Sequence, residues 1–406
     1  MSGGAEPRTD MRLRSRILAV TCLSLLLSVL VWFNYSAVLP QIVAEWGLSG
    51  TRAGIVFGAF QAGYLLAIVP MGQLADRHSP RYVIAAGATI TGAFSLAFGL
   101  VAAGFLSGTL LRFLAGIGMA GVYVPGMRFL GDWFPAEDRG TAMGLYVGSF
   151  SLSSGLSFIV ATAVADTIDW RAAIVVTSVG ALLVAPIVIG LTEDHPDRVE
   201  SDATGFDLSV LRNRAYLCSV SIYSWHNWEL FGMRNWMLAF LLTVPAVAAA
   251  GSPAFAGLLV GLTMAIGGLG NLVGGALSDR IGRQPAIGGA LAVSGLLSLS
   301  FVAISGFPLW VIVIALAVYG VALTADSAPT STMVTEVVDD SRIGTALALQ
   351  SFVGFSATVV SPIVFGAALD WGGYAVAFPT LAVGAALGLA SLFALRAFTD
   401  ASERIV

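Results

Sequence analysis

The chain has 406 residues, of which 57% are hydrophobic and only 11% charged, with a mean hydropathy of +0.87 and a net charge of −4. A soluble domain holds about 25% charged residues, so this is the composition of an integral membrane protein, with no basic face for a nucleic acid. There is no lysine, and the two cysteines, Cys22 and Cys218, lie inside apolar runs, which excludes a disulfide framework or a cysteine-based metal centre.

A bilayer core of about 30 Å needs roughly 20 apolar residues at 1.5 Å each. Twelve such runs are predicted, in chain order. Span one (17–39) carries Asn34 and Tyr35, and span two (52–75) carries Gln61 and Tyr64. Span three (82–103) has no ionisable residue, Asn or Gln at its centre. Span four (107–131) holds Arg112, Tyr123 and Arg128; span five (141–165) holds Tyr146 and a serine cluster from Ser149 to Ser157. Span six (171–191) is plain. A polar stretch, 192–214, follows, with Glu193, Asp194, Asp197, Glu200, Asp202 and Asp207, and reads as a solvated linker. Span seven (215–243) contains YSWHNWELFGMRNW, with Tyr223, His226, Asn227, Glu229 and Arg234. Span eight (254–278) has Asn271 and span nine (285–305) is plain. Span ten (308–332) has Tyr319 and Asp326, span eleven (343–369) has Gln350 and Ser351, and span twelve (374–396) is plain. The first run is too long for the apolar core of a signal peptide and is followed by eleven more spans.

With the N-terminus in the cytoplasm, fifteen of the twenty arginines fall on inner loops and tails. The positive-inside rule therefore predicts both termini inside, in a plasma (inner) membrane. The chain divides into 1–191, with a cytoplasmic tail 1–16, the linker 192–214, and 215–406. These halves repeat. GQLADRHSPR (72–81) follows span two and GALSDRIGRQ (275–284) follows span eight, so Asp76 and Asp279 stand 203 residues apart, as do Arg139 and Arg342. With six spans each, the halves are parallel repeats.

The doubled loop G-x-x-x-D-R-x-G-R, the midpoint linker and RFLAGIG in span four resemble the major facilitator superfamily over the whole chain. The second copy matches fully at Gly275, Asp279, Arg280, Gly282 and Arg283; the first has Ser79 and Pro80 where the pattern has glycine and arginine. The resemblance implies an all-α protein of twelve transmembrane helices in two six-helix bundles related by a pseudo-two-fold axis. It also implies a secondary transporter working by alternating access, with Arg112 in a proton-coupling role and spans three, six, nine and twelve as outer supports.

The residues themselves lead the same way. A charge at mid-bilayer costs about 2.5–3.5 kcal/mol even on lenient scales. His226, Glu229 and Arg234 should therefore face protein or water, with the eight polar spans enclosing a wet cavity. His226 and Glu229, at i and i+3, can touch and exchange a proton near neutral pH. Arg234 is a natural clamp for an anion. The expected substrate contacts are Arg234, Tyr223, Asn227, Asn34, Tyr35, Gln61, Tyr123, Tyr146 and Gln350. The expected proton-coupling groups are His226, Glu229, Arg112 and Asp326. Gly72, Asp76, Arg77, Gly275, Asp279, Arg280 and Arg283 are expected to form a cytoplasmic latch. Gly72 and Gly275 would let helices approach, while Arg77 and Arg280 would pair with Asp132, Glu137 or the acids near Asp339. The predicted partners are a small, anionic organic solute, protons and the lipid bilayer, with no nucleic acid, cofactor or metal, and the monomer as the working unit. No P-loop or nucleophile–base set points to an enzyme. The alternatives are a proton-driven exporter of drugs or metabolites, against which the absence of a proline motif in span five weighs, and a non-transporting sensor on the same scaffold.

Overall fold

A computed structural model describes residues 6–196, 198, 208–339 and 342–403. Within the linker, Asp197, Glu200, Asp202 and Asp207 lie outside the described residues, as does Arg404 of the C-terminal tail. The described chain is helical, without a strand. The helices are α1 (Glu6–Ala37), α2 (Leu39–Trp46), α3 (Gly50–Arg77), α4 (Pro80–Val101), α5 (Phe105–Trp133), α6 (Ala136–Thr167) and α7 (Trp170–Leu191). After a 3-10 turn at Leu208–Arg212 come α8 (Arg214–Leu241), α9 (Pro245–Ala250), α10 (Pro253–Ile281), α11 (Arg283–Ile304), α12 (Leu309–Ala325), α13 (Ser327–Glu336), α14 (Ile343–Gly372) and α15 (Tyr374–Glu403).

Among the described residues, eleven helical stretches are long and apolar enough to cross a membrane. α8 is the twelfth long helix, with 28 residues, and its polar content keeps it outside that set. The helix starts are chemically marked. Asp169 caps α7 by accepting from the Ala172 N–H at 2.7 Å, and Asn213 caps α8 by accepting from the Tyr216 N–H at 3.1 Å. Span ten is two helices, α12 and α13, divided at Asp326. A periodicity reading expects one run there. The interruption is a single residue: Asp326 keeps helical angles, φ −84° and ψ −15°, and the Thr330 N–H still donates to its carbonyl at 2.9 Å, so the change of helix places a carboxylate inside the protein.

The chain forms two compact units, one of residues 1–38 and 62–203 and the other of residues 39–61 and 204–406, so the division passes through α3. In the first unit α4 packs on α5 and α7, and α1 packs on α6 and α7. In the second, α8 packs on α14 and α15, α10 on α12, and α11 on α15. Lipid tails are as apolar as leucine, so van der Waals fit and buried hydrogen bonds hold these helices together.

The α10–α12 contact shows how tight the fit is. A Cβ on Gly274 would run into the Ala325 backbone, its Cα at 2.8 Å and its carbonyl oxygen closer still. Nearby, Thr324 Oγ1 donates to the Gly267 carbonyl at 2.5 Å. Because backbone cannot yield as a side chain does, Gly274→Leu is expected to cost about 3 kcal/mol or more. A fall in melting temperature and membrane yield, with Gly275→Leu left near the parent value, is the expected pattern. Gly275 has open space around its Cβ position among the described residues, and Gly72 has only Val124 at an ordinary 3.8 Å. The expectation that Gly72 and Gly275 permit close helix approach is thus corrected: in the second unit the neighbouring Gly274 does so.

Gly282 carries the other glycine requirement of the loop, with φ +93° between α10 and α11. The equivalent Ser79 has φ −52°, and Pro80 begins α4. The two copies of the motif therefore turn by different backbone routes.

Candidate functional site

In the first unit, Arg112 on α5 is 1% exposed. Its guanidinium donates to the carbonyls of Val31 at 2.9 Å and Trp32 at 3.0 Å and to Asn34 Oδ1 at 3.2 Å, all on α1. The Asn34 amide donates onward to Thr177 at 2.9 Å and Ser95 at 3.3 Å. The Tyr35 ring lies 5.6 Å from the Arg112 carbon. Four helices, α1, α4, α5 and α7, are thereby fastened through one cation and one amide, and α6 is held separately by Ser153 and Ser157, which donate to the Leu26 and Leu30 carbonyls of α1. Tyr146 Oη donates to the Val122 and Tyr123 carbonyls at 3.1 Å, and its ring stacks on Tyr123 at 6.0 Å. Asn34 and Tyr146 are thus buried and engaged within the unit, while Tyr123 is half-buried.

In the second unit, His226 on α8 is 4% exposed and sits against the break in span ten. Its Nδ1 lies 2.8 Å from Asp326 Oδ1, an ion pair when the ring is protonated. Its Nε2 lies 3.0 Å from Ser327 Oγ, and the Tyr223 ring stacks on the imidazole at 6.0 Å. Which of Ser327 Oγ and His226 Nε2 donates is set by the tautomer of the ring. The pairing of His226 with Glu229 expected from their i, i+3 spacing is corrected. Glu229 turns to α11 and α12, where Ser298 donates to Oε1 at 2.7 Å, Ser294 to Oε2 at 2.8 Å, and Tyr319 lies 3.4 Å from Oε1. Spacing along one helix cannot foresee this, because partners on other helices compete for both groups.

Asn227 spends an N–H on the Tyr223 carbonyl of its own helix at 2.9 Å. Arg234 is 5% exposed, with its guanidinium 5.4 Å from the Phe231 ring. The amide of Gln61 and the Nε2 of Gln350 are buried without a hydrogen-bond partner among the described residues. Trp228 and Trp236 donate to the Thr380 and Pro362 carbonyls, so these two rings pack within the bundle.

The cytoplasmic loops differ from expectation. Arg283 pairs with Asp279 at 2.7 Å and Glu336 at 3.2 Å. Asp76 pairs with Arg128 at 3.5 Å, and Arg128 with Asp132 at 3.4 Å. Arg77 and Arg280 are exposed and have no ion pair among the described residues: Asp132 pairs with Arg128 instead, and Asp340, beside Asp339, lies outside the described residues. The linker supplies what the altered first motif lacks. Ser79 donates to Asp194 at 2.6 Å, and Arg198 donates to the carbonyls of Ala75, Asp76 and His78 that end α3. The linker is solvated only in part.

Sequence reasoning missed Ser294, Ser298 and Ser327 because it passed over single serines in spans nine and ten. The signal was present: Ser294 and Ser298, four apart, share a face of an otherwise apolar helix. Asp370 was also missed. Its carboxylate caps the start of α3, accepting from the Gly50 N–H at 2.6 Å and the Thr51 N–H at 2.8 Å.

The family model described as Major Facilitator Superfamily matches residues 21–245 and again 230–404. The chain belongs to the Major Facilitator Superfamily. Among curated proteins, this superfamily member is 27% identical to the "Probable sulfoacetate transporter SauU" of Cupriavidus necator, covering 94% of this chain and 93% of that one. It is 23% identical to the "Hexuronate transporter" of Bacillus subtilis over 82% of each chain. Among solved structures, a bacterial homologue of the human lysosomal transporter Spinster, in an inward-facing and unoccupied conformation, matches with a TM-score of 0.75 at 18% identity over 95% of this chain and 94% of that one. The superfamily fold of twelve spans in two bundles accounts for the helices described, and the protein is a multi-pass membrane transporter of small molecules, not an enzyme.

Proposed function

We propose that this superfamily member moves a small organic anion by alternating access, coupled to protons through the His226–Asp326 pair. The observation that carries this reading is the buried imidazole held between Asp326 and Ser327 where span ten breaks. Intramembrane ionisable groups and interrupted helices mark substrate and ion sites in transporters. When His226 takes a proton, the pair becomes neutral overall; when it loses one, Asp326 is left as a net negative charge. A proton that neutralises the pair and an anion that follows it can cross together without net charge from the pair.

The anion preference rests on two lines. Sulfoacetate and hexuronates, named for two relatives, are carboxylates, the first also a sulfonate. Arg234 provides a buried guanidinium on the same helix as His226, and its planar fork suits carboxylate or sulfonate oxygens. Tyr223, Gln61 and Gln350 supply further polar contacts, and the Gln61 amide and Gln350 Nε2 are buried without a hydrogen-bond partner among the described residues. Residues 1–191 and 215–406 are the working halves joined by 192–214. Asp279, Arg283 and Glu336 act as the cytoplasmic latch of the second half, with both termini inside the plasma membrane and the monomer as the working unit.

A thermal-shift series tests the clamp. Sulfoacetate and glucuronate should raise the melting temperature of the parent protein, and Arg234→Gln should remove most of that shift. A bidentate guanidinium–carboxylate contact is worth about 1.5–3 kcal/mol, so affinity falls roughly tenfold to a hundredfold. Equal stabilisation of parent and variant would exclude Arg234 from the site.

A further inference from the structure

We infer that Glu229, with Ser294, Ser298 and Tyr319, is a second buried proton-carrying site, separate from the His226–Asp326 pair. Glu229 is 1% exposed, and among the described residues its only hydrogen-bond partners are three hydroxyls, with no arginine or histidine in ion-pair contact. A carboxylate at membrane depth that lacks a cationic partner is neutralised by binding a proton.

The hydroxyls suit both states. When Glu229 is ionised, Ser298 donates to Oε1 and Ser294 to Oε2. When a proton sits on Oε1, that O–H donates to Ser298 Oγ, and the Ser298 O–H turns to Tyr319 Oη, 2.8 Å away, a contact in which either oxygen can donate. Ser294 has a second acceptor, the Leu291 carbonyl at 3.3 Å. One proton is gained and every hydroxyl keeps a partner, so the site switches without moving a helix.

The other groups facing Glu229 are His226 on α8 and Asp326 at the α12–α13 junction, which act on it through space. Tyr319 is the titratable group from α12. The ionisable residues of α10, α11, α14 and α15 stand at or near helix ends. Within the transport reading above, Glu229 binds a second proton, distinct from the one that the His226–Asp326 pair couples to the anion.

The test is an infrared pH titration of the full-length protein in lipid nanodiscs without substrate, so it is independent of whether an anion is carried. A protonated-carboxyl band should grow as pH falls, be absent from Glu229→Gln, persist in His226→Asn and Asp326→Asn, and shift in frequency in Ser298→Ala. If the carboxyl bands of Glu229→Gln match the parent at every pH, or if Ser298→Ala leaves the band where it was, the assignment is overturned. A band that responds to Na+ at fixed pH instead of to pH also overturns it, in favour of a metal-ion site.

Discussion

Asp326→Asn and His226→Asn are each expected to abolish accumulation driven by a pH gradient while leaving exchange of the anion across the membrane intact. The two side chains meet at 2.8 Å, both nearly inaccessible to solvent. Asparagine matches the shape of aspartate and offers an amide nitrogen near the place of the imidazole Nδ1, but at neither position can it hold the proton. Gradient-driven uptake by the parent should rise as the outer pH falls, because the pair is filled from the outside. In either variant uptake should lose that pH dependence and fall at least about tenfold, equivalent to about 1.4 kcal/mol of coupling. Asp326→Ala should be worse for the fold. Removing one partner of a buried pair costs about 3–5 kcal/mol when the other stays charged. The measurement is uptake and counterflow in proteoliposomes. An Asp326→Asn protein that still concentrates the anion in response to a pH gradient contradicts the assignment.

Arg112→Met should damage the protein before it damages coupling. The guanidinium satisfies two α1 carbonyls and the Asn34 side chain, and Asn34 in turn ties α1 to Ser95 on α4 and Thr177 on α7. Methionine fills similar volume but removes three buried hydrogen bonds made by a cation, each worth about 1.5–3 kcal/mol. Loss of several kcal/mol should appear as low membrane yield and a depressed melting temperature that ligand does not restore. Arg112→Lys should recover part of it, since an ammonium can reach fewer of the three acceptors. A variant Arg112→Met that melts like the parent yet fails to couple would instead return Arg112 to the proton-coupling role that the family resemblance implies.

The fold was legible because its signals are one-dimensional. Apolar runs of bilayer length, the 203-residue repeat and the doubled loop all survive without knowledge of contacts. The interruption at Asp326 had a local signal, Asp326, Ser327 and Pro329 inside an apolar run, which a reading by run length passes over. The site was legible in its members and not in its pairings. His226, Glu229, Arg234 and Asp326 stand out as charges in apolar surroundings, but whether His226 meets Glu229 or Asp326 is settled by α12 and α13, a hundred residues away. The same limit hid the partners of Glu229. Serines 294 and 298 are unremarkable on a helix until a carboxylate from α8 is set against them. In the loops, the changes at Ser79 and Pro80 signalled that the first motif differs, while its replacement by Asp194 and Arg198 required contacts across more than 110 residues.

Proton-driven accumulation is the measurement that bears most directly on the account. The purified protein is reconstituted in liposomes with an alkaline interior, supplied outside with the anion that gives the largest thermal shift, and followed with and without a protonophore. The account predicts internal accumulation above the external concentration, abolished by the protonophore. Uptake that only equilibrates, at the same rate whatever the pH gradient, would contradict it.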